Sequence, residues 1–358
     1  MNRIAAQGAG QIIGLIDGRQ VVGLDIAKSV FQLHSVDMST GEIVNMQLKR
    51  AKVLEYFANR VPCLIGIEAC GGAHHWAREL TGLGHSVRLI HAKAVRPFVA
   101  GNKTDVTDAR AIWLAIQQPG TKFVGMKTQA QQATLVLHRQ RELLMRMKVM
   151  QINALRGLLY EFGATFARGK NALFSEIEAT LESLALDIPQ YVADSLREQV
   201  QRIKKLVQDI KAIEQRLAQR LRDDEDMKRV AAIPGVGLLT ATAAIATMGE
   251  AKAFKSAREF CAWLGLVPQQ RGTGGKVLLL GISKRGDTYL RTLLIHGARS
   301  VLAHAKEPGQ WLEQLKARRP DNVVVVAQAA KMARTIWAVT ARQQDYQRGH
   351  QSTKPQAA

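Results

Sequence analysis

A series of apolar segments occupies the first 116 residues, and no other feature of the sequence limits the fold as strongly. Residues 20–28, 30–36 and 43–48 have the apolar content or the alternation of β-strands, with a Thr-Gly turn before the third. Helices and strands then alternate, as helix 51–60, strand 63–68, helix 74–80, strand 86–90 and a helix through 105–116. A meander of three strands followed by alternating helices and strands is the order of an α/β ribonuclease-H-like sheet.

Acidic residues stand where ligands collect in such a sheet. Asp25 lies on the first predicted strand, and Glu68 lies at the C-terminal end of the fourth. Asp105 and Asp108 stand three residues apart at the start of the later helix, so they share one helix face. Neighbouring carboxylates repel each other unless a cation lies between them. Together the four acids predict a two-metal site for phosphodiester chemistry.

Each of these residues also has an ordinary structural interpretation. The two aspartates would be an Asp N-cap followed by a second acid in the first helical turn. Asp25 would be a strand-end turn residue, and Glu68 would be a helix-capping acid. Lys28 and Lys103, which lie near the acids in sequence, would contact scissile phosphates or remain solvated surface lysines.

The composition of the chain favours a nucleic-acid partner. Lys and Arg total 50 against 30 Asp and Glu, which gives a net charge of +20 and a pI near 10.2. A surplus of this size points to a polyanion, with a membrane surface as the alternative. No apolar run reaches the roughly 18 residues of a membrane span, and the N-terminus lacks the features of a secretion signal. The three cysteines form no ligand-spaced pair, so we expect no zinc site, no disulfide framework and a reduced cytoplasmic setting.

Long helices are predicted for residues 129–222. An apolar seam with one polar position steps by four and three, as in a heptad repeat. Its members are Leu196, Val200, Ile203, Val207, Ile210, Glu214, Leu217 and Leu221. An earlier helix, 133–160, carries apolar residues among many Arg and Lys. The two helices would pair within one chain or between protomers, and a seam of this length favours oligomerisation.

Three segments beyond residue 226 are candidates for nucleic-acid contact. Gly235 and Gly237 lie in a Pro-Gly-x-Gly turn that resembles the hairpin of helix-hairpin-helix modules, with a tight turn without ligand as the alternative. A glycine-rich segment that can wrap a phosphate, without Walker A spacing, is followed by a basic turn. The candidates there are Arg271, Gly274, Gly275, Lys276, Ser283, Lys284 and Arg285. Residues 250–319 contain thirteen Lys or Arg against five Asp or Glu, which favours this half for gripping nucleic acid.

Six motifs, present in this order, carry a resemblance to a known family. They are Gly23–Lys28, Gly66–Gly71, Asn102–Arg110, Ile233–Gly237, Gly265–Pro268 and Gly281–Asp287. From these motifs the chain resembles, over nearly its whole length, the DEDD transposases of the insertion-sequence 110 family. Within that family it is most similar to the insertion-sequence 1111 group.

The resemblance implies a RuvC-like nuclease domain at 20–128, a helical coiled-coil spacer at 129–225 and a mostly α-helical C-terminal transposase domain at 226–342, between a flexible leader (1–19) and a disordered tail (343–358). Asp25, Glu68, Asp105 and Asp108 would be catalytic and would bind Mg²⁺. A structured non-coding guide RNA would pair with donor and target DNA, so the protein would read backbone and shape. We expect the protein to form a homo-oligomer, either a dimer or a tetramer. We expect it to be cytoplasmic and nucleoid-associated, without a membrane partner.

One position departs from the family pattern. The family's nucleophile is a serine in the C-terminal glycine-rich loop, which takes the DNA phosphate covalently, and the matching residue here is Thr273. Its hydroxyl can act as a nucleophile, although β-branching hinders it. Thr273 is the favoured nucleophile. The alternatives are that Ser283 acts in its place, or that this protein is a slow or inactive member of the family. A Holliday-junction resolvase-like nuclease that uses metal-activated water, or a catalytically lapsed nucleic-acid-binding oligomer, are the alternative functions.

Overall fold

The computed structural model describes residues 15–16, 18–37, 39–102, 104–167 and 170–349. Lys103, the leader up to residue 14 and the tail from 350 therefore lie outside the described residues. The chain divides into two compact units, Met1–Gln129 and Ala130–Ala358. The first unit contains a mixed sheet with helices and the second is mostly helical, as expected from the order of segments in the sequence.

A seven-stranded sheet forms the centre of the first unit. Its strands are β1 Leu15–Ile16, β2 Arg19–Asp25, β3 Val30–Val36, β4 Ile43–Lys49, β5 Leu64–Glu68, β6 Ser86–Ile90 and β7 Phe123–Val124. Its helices are α1 Val53–Ala58, α2 Ala73–Gly82, α3 Ala92–Val95 and α4 Asp105–Ile116. The five strands expected from the sequence are all present, and β1, which falls in the expected leader, and β7 are short additions.

The strand order is β4-β3-β2-β5-β6-β7, with β1 paired to β2. The meander β2-β3-β4 is antiparallel, whereas β5 and β6 run parallel to β2. The short strand β7 closes the far edge antiparallel to β6. Consequently β2 and β5, the two strands that end in acids, are direct neighbours at the centre of the sheet.

Alternation along the central strands divides the core of the first unit into two layers. Val22 and Leu24 of β2 belong to one layer, which α1 and α2 complete. Val21 belongs to the other layer, which α3 and α4 complete. Because successive side chains of a strand point to opposite faces, Gly23 and Asp25 face the same layer as Val21.

Helix α4 packs directly on the sheet at two glycines. A β-carbon on Gly23 would lie 2.2 Å from the carbonyl oxygen of Ala109 and 2.7 Å from the backbone nitrogen of Trp113. A β-carbon on Gly66 would lie 3.1 Å from Cγ2 of Ile112. Any side chain at Gly23 would overlap the helix backbone, so this glycine sets the distance between α4 and β2.

The second unit contains nine helices and one hairpin among its described residues. The helices are α5 Gln129–Glu161, which begins at the boundary residue, α6 Lys170–Leu184, α7 Gln190–Asp223, α8 Glu225–Ala231, α9 Leu238–Met248, α10 Ala257–Trp263, α11 Thr288–His304, α12 Gln310–Arg318 and α13 Asp321–Arg342. The hairpin strands are β8 Pro268–Thr273 and β9 Lys276–Ile282. One core joins α5, α6 and the first half of α7, and a second core joins α8 to α11 and α13.

Helix α13 is long and apolar enough to span a membrane by length and composition, yet it lies in the second core. Val324, Ala329, Ala333 and Ile336 are fully buried against the other helices of this core. A core helix of a folded unit passes the same length and composition test. Beyond α13, the side chain of Arg348 contacts Glu307 at 2.7 Å, so the described start of the expected tail makes contacts with the unit.

The heptad seam lies within α7, and five of its eight predicted members are buried, including Ile210 and Leu217 in its second half. Leu196, Val200 and Ile203 are buried against α5 and α6, as expected. Val207 is 43% exposed, and Ile213 is buried although it lies outside the expected seam. Helix α7 packs against several partners, which are α6, α8 and α9. A seam with a strict repeat assumes one partner throughout.

The glycine-rich segment is the tip of a β-hairpin and not a free loop. Thr273 pairs with Lys276 across the end of the two strands. Gly274 and Gly275 form the two-residue turn, with φ of +56° and +80°. Two successive positive φ angles are what a tight hairpin turn requires, and Gly-Gly supplies them without strain.

Candidate active site on the sheet face covered by α4

Asp25 and Glu68 end two adjacent parallel strands on the same face of the sheet. The register pairs Leu24 with Ile67, so the two acids follow at equivalent positions. Adjacent strands lie about 4.8 Å apart. The residues two and four positions earlier on β2 and β5 face the α3–α4 layer, and alternation gives the acids the same direction. The two carboxylates therefore lie side by side on the face that α4 covers.

The thiol of Cys70 is influenced by both carboxylates. The pKa of Cys70 is raised, first by burial and then by the negative charges of Glu68 and Asp25. Charge effects on a pKa fall off with distance, so both acids lie near the same sulfur. Asp25 and Glu68 are each partly buried, which concentrates their charge at this end of the sheet.

Helix α4 runs antiparallel to β2 and brings its first turn toward Asp25. Trp113 donates its indole N–H to the carbonyl oxygen of Val21 at 3.1 Å. Ala109, one turn earlier on α4, lies against Gly23. Movement along α4 toward its N-terminus therefore follows β2 toward its C-terminal end. The first turn of α4, which contains both aspartates, consequently lies at the end of the strand where Asp25 stands.

The N-terminus of α4 is capped by a threonine. Thr104 accepts a hydrogen bond from the backbone N–H of Thr107 at 3.2 Å, and the Thr107 hydroxyl oxygen accepts one from the Thr104 N–H at 2.9 Å. The interpretation of Asp105 as an N-cap is therefore wrong. Asp105 is exposed and Asp108 is partly buried, and both lie within the first turn. The positive end of the helix dipole favours carboxylates there.

Gln32 is a buried neighbour of Asp25. The two residues are directly paired across β2 and β3, so their side chains leave the same face. Gln32 is 3% exposed, and its side-chain oxygen Oε1 has no hydrogen-bond partner. A buried amide oxygen without a donor is rare and costs free energy. Such an oxygen is also one of the ligands that hard divalent cations accept.

The carboxylates are not gathered into one coordination sphere. In the part of the chain that the structure describes, no group of three or more His, Cys, Asp or Glu side chains is arranged to hold a metal ion. A cation bound by all four acids would require side chains to rotate toward it. The donor set nevertheless fits magnesium, because it consists of oxygen atoms and includes the unpartnered Oε1 of Gln32. Asp25, Glu68, Asp105 and Asp108 are the residues that would hold it.

Of the two lysines near the acids in sequence, Lys28 is among the described residues and Lys103 is not. Lys28 is exposed in the turn that follows β2, three residues beyond Asp25. It lies at the same end of the sheet as the acids and lines an open groove there. Lys103 lies outside the described residues, so its expected role stays a prediction.

Thr273 lies in the exposed hairpin of the second unit. All of β8 is exposed, and the described neighbours Arg271 and Lys276 give the tip two positive charges. The Thr273 hydroxyl is therefore open to a substrate, beside cations that attract phosphate. Gly274 and Gly275 shape the turn, and no atom lies within 4 Å of a β-carbon built on either.

Gly235 serves internal packing. Its φ is +83°, and a β-carbon there would lie 2.6 Å from Cγ2 of Val301 and 2.8 Å from the carbonyl oxygen of Gly297. The glycine thus lets the turn before α9 approach α11, which is the interpretation without a ligand. Gly237, the N-cap residue of α9, is exposed with open space around it. The expected phosphate contacts of Gly235 and Gly237 stay predictions.

The basic turn before α11 is held rigidly. Ser283 and Lys284 donate their backbone N–H groups to the carbonyl oxygens of Val267 and Gly265, at 2.9 and 3.1 Å. Lys284 has a φ of +52°, which is uncommon outside glycine. The buried guanidinium of Arg291 donates to the carbonyl oxygen of Arg285 at 2.8 Å. The exposed side chains of Lys284 and Arg285 are therefore presented from a fixed backbone.

Sequence reasoning missed a buried polar network in the second unit. The Thr242 hydroxyl donates to the Leu238 carbonyl at 2.7 Å, so it accepts from Nε2–H of His138 at 3.0 Å. Nδ1 of His138 then accepts from the hydroxyl of Tyr289 at 3.0 Å. Burial, with a smaller effect of the Arg141 charge, lowers the pKa of His138 to about 4. A lone histidine in a predicted helix carries no local signal of such partners.

Carboxylates paired on a sheet face, in a chain with a net charge of +20, are typical of enzymes that act on a polyanion. Comparison with known proteins narrows this class. A family described as "Transposase", the DEDD type of IS110, matches residues 22–163, and the family "Transposase IS116/IS110/IS902 family" matches residues 227–312.

Full-length relatives agree with both matches. The chain is 44% identical over 333 residues to a "Probable family 20 transposase" of Pseudomonas aeruginosa, covering 92% of this chain and 98% of the relative. It is 40% identical over 335 residues to the "Transposase for insertion sequence element IS1111A" of Coxiella burnetii, covering 92% of each. It is 37% identical over 324 residues to the "Transposase for insertion sequence element IS1328" of Yersinia enterocolitica, covering 89% and 96%. The chain belongs to the IS110 family of insertion-sequence transposases, as its motifs predict, and DNA is its substrate.

Proposed function

We propose that this transposase cuts DNA at the acidic site and passes the cut strand through a covalent ester on Thr273. The observation that carries the proposal is the position of Asp25 and Glu68. They lie side by side at the ends of β2 and β5, on the sheet face that α4 covers and at the end toward which its first turn points. Asp105 and Asp108 lie in that turn. Neighbouring carboxylates repel each other, and a divalent cation held between them would remove that repulsion.

Magnesium would be held by Asp25, Glu68, Asp105 and Asp108, and when bound it supplies charge stabilisation at the scissile phosphate and at the leaving oxygen. The family membership and the all-oxygen donor set support this assignment. The strand order of the first unit, with an antiparallel meander beside parallel strands, supports the interpretation as a ribonuclease-H-like, RuvC-like nuclease domain. The long helices α5 and α7 support the coiled-coil interpretation of the spacer.

Thr273 supplies the attacking oxygen in this proposal. Its hydroxyl oxygen forms a bond to the phosphorus of the scissile phosphodiester and loses its proton, while the bond from phosphorus to one deoxyribose oxygen breaks. That oxygen leaves as a hydroxyl after it takes up a proton. One phosphoester replaces another, so the bond energy is kept for transfer to a second DNA strand. The exposure of Thr273 beside Lys276 supports this role.

A structured guide RNA would choose the DNA sequence. The net charge of +20 supports contact with both nucleic acids, and backbone contacts of this kind carry no sequence information. The exposed cations Arg271, Lys276, Lys284 and Arg285 are the proposed phosphate contacts of the second unit, together with the backbone at Gly237. RNA that copurifies with the protein should contain a segment complementary to the DNA at the ends of the insertion sequence. Sequencing of the copurified RNA tests this.

A homo-oligomer is supported by a second apolar stripe on α5. The stripe lies opposite the buried face of the helix and consists of Val136, Leu143, Met147, Met150 and Leu158, which are 39–60% exposed. Its successive spacings of seven, four, three and eight residues place the five side chains on one face of the helix. A dimer or tetramer that pairs these stripes would bury them, inside a cytoplasmic, nucleoid-associated assembly.

The test is a covalent-capture experiment with the protein, its copurifying RNA, matching DNA and magnesium. We expect wild-type protein to form an adduct with DNA that survives denaturation. Thr273→Ala should bind DNA normally and form no adduct, and Asp25→Asn should neither cut nor form an adduct. Ser283→Ala is the matched control and should keep the adduct.

Each alternative gives a different result. Cut DNA without any adduct would assign water as the nucleophile, as in a resolvase-like nuclease. An adduct that persists in Thr273→Ala and disappears in Ser283→Ala would move the nucleophile to Ser283. Binding without cutting, unchanged by Asp105→Asn, would leave a DNA-binding oligomer.

A further inference from the structure

An open groove of about 720 Å³ lies in the first unit, outside the acidic site. Its polar lining consists mainly of Lys28, Lys49, Arg50 and His75, and its floor includes Trp76. Three exposed basic residues that line one groove indicate an anionic ligand. None of these residues except Lys28 has a role in the proposed function.

The groove opens at the same end of the sheet as the acids. Lys28 lies in the turn after β2, which ends at Asp25. Lys49 ends β4 and is paired with Val30, the first residue of β3, so it lies at the same end of the sheet as Lys28. His75 and Trp76 belong to the first turn of α2, which follows the β5 end at Glu68. The groove therefore borders the acidic site from the α2 side, whereas α4 covers the opposite face.

The cations of the groove are free to take a ligand. Among the described residues, no carboxylate pairs with Lys28, Lys49 or Arg50, and all three are exposed. No carboxylate is among the residues that line the groove, and Glu79 lies 3.7 Å from Nδ1 of the lining residue His75. Positive charge thus exceeds negative charge along the groove.

Arg50 is held in place by aromatic rings. Its guanidinium lies 5.0 Å from the ring centre of Trp76 and 5.8 Å from that of Phe31. Stacking fixes the planar group and leaves its N–H edge available for bidentate contact with a phosphate. The indole N–H of Trp76, a residue only 4% exposed, has no hydrogen-bond partner in the described part of the chain.

We infer that this groove binds the phosphate backbone of the DNA strand that the acidic site cuts, on one side of the scissile phosphate. The inference rests on the proposed function, because the acidic site identifies the strand as DNA. A strand that passes over the end of β2 meets Lys28 first, and Lys49 and Arg50 follow at the end of β4. The groove holds the backbone of the strand and reads no base, which agrees with sequence choice made elsewhere.

The experiment measures DNA affinity of the full-length protein over a salt series, in EDTA so that no strand is cut. Lys49→Ala/Arg50→Gln should reduce the slope of log affinity against log salt by about 2, since each lost phosphate contact contributes about 0.9. Arg19→Gln is the matched control. Arg19 is exposed at the start of β2, at the end of the sheet opposite the groove, and its loss should leave the slope unchanged. Arg50→Lys, which keeps the charge and loses the fork, should lower affinity while keeping most of the slope.

A second readout locates the contact. Acetylation of Lys28 and Lys49, followed by mass spectrometry, should be slowed by bound DNA, whereas Lys52, which pairs with Glu55 at 2.7 Å, should react equally with and without DNA. An unchanged salt slope in the double variant, or equal acetylation of Lys28 and Lys49 in both states, would overturn the inference. Protection by an RNA strand and not by DNA would also overturn it.

The outcome is independent of the proposed chemistry. Asp25→Asn should abolish cutting and keep the full salt slope, whereas the groove variant should lose about 2 from the slope in EDTA, where no strand is cut. A wild-type protein that never cuts but shows the groove-dependent slope would contradict the proposed function and leave the groove as a DNA site.

Discussion

The carbonyl oxygen of Ala109 lies directly against Gly23, where a β-carbon would approach it to 2.2 Å. Ala109 immediately follows Asp108, and Gly23 precedes Asp25 by two residues. One backbone contact therefore fixes the position of the α4 aspartates relative to the strand that carries Asp25. Packing and the geometry of the candidate site depend on the same glycine.

Gly23→Ala should accordingly damage stability and activity together. The added methyl overlaps backbone atoms of α4, which have no rotamer to change, so the helix must move away from β2. We expect the free energy of unfolding to fall by about 3 kcal/mol, the upper range for overpacking a core. Urea denaturation measures this loss, and DNA cutting at saturating magnesium should fall with it.

Gly82→Ala is the matched control for this substitution. Gly82 ends α2, and no atom lies within 4 Å of a β-carbon built there. Alanine at this position should change stability by less than about 1 kcal/mol, in the stabilising direction. If Gly23→Ala proved as harmless as Gly82→Ala, the close approach of α4 to β2 would be wrong.

Gln32→Leu should separate metal binding from folding. Leucine removes the buried, unpartnered oxygen beside Asp25, so the Tm in EDTA should stay equal or rise. The rise in Tm on adding magnesium should become smaller, because a ligand stabilises the folded protein in proportion to its affinity. Thermal unfolding with and without magnesium measures both effects.

Gln47→Leu provides the comparison for Gln32. Gln47 on β4 is paired directly with Gln32 on β3, and it is exposed. Its substitution should leave the magnesium-dependent rise in Tm intact. An equal loss in both variants would show that Gln32 has no special relation to the cation site.

His138 should make the second unit sensitive to mild acid. Its folded pKa of about 4 lies below the ordinary value of 6.5, so the unfolded chain binds the proton more readily. The stabilising contribution is therefore complete above pH 6.5, is lost as the pH falls toward 4, and amounts to about 3 kcal/mol. His138→Gln should remove this part of the pH dependence, as measured by urea denaturation between pH 7 and 4.

His296→Gln is the control for the histidine substitution. His296 is exposed on α11, in the same unit, and its replacement should leave the slope of stability against pH unchanged. A His138→Gln protein with the same slope as wild type would contradict the buried neutral imidazole.

How far the sequence predicts these features depends on whether the signal is local. Two apolar runs that each lead into an acid predict strands with Asp25 and Glu68 at or near their ends, and a spacing of three predicts that the α4 aspartates share one helix face. The contact between His138 and Tyr289 joins residues 151 positions apart, and no pattern near either residue indicates it. The unpartnered oxygen of Gln32 is likewise a property of packing, since the sequence shows only a polar residue within an apolar strand.

The outer stripe of α5 predicts an assembly that one charge can weaken. Leu143→Glu places a carboxylate in the middle of the stripe, and burying an unpaired charge is costly. The variant should shift toward the monomer in analytical ultracentrifugation and keep its helical content. Val149→Glu makes the same change at an equally exposed position of this helix outside the stripe, and it should leave the assembly unchanged. Dissociation in both variants, or in neither, would argue against pairing through this face.

Thr273→Ser tests whether the hydroxyl of the hairpin tip reacts. Serine keeps the oxygen and removes the β-branch, so the hindered attack on phosphorus should become easier. The hairpin itself should tolerate the change, because Thr273 is exposed and its backbone pairing with Lys276 does not involve the side chain. The rate of adduct formation should therefore rise above wild type while DNA affinity stays constant, in single-turnover capture with saturating DNA. An equal rate would mean that attack by this oxygen does not limit the reaction, and loss of the adduct would show that the threonine methyl is needed to position the group.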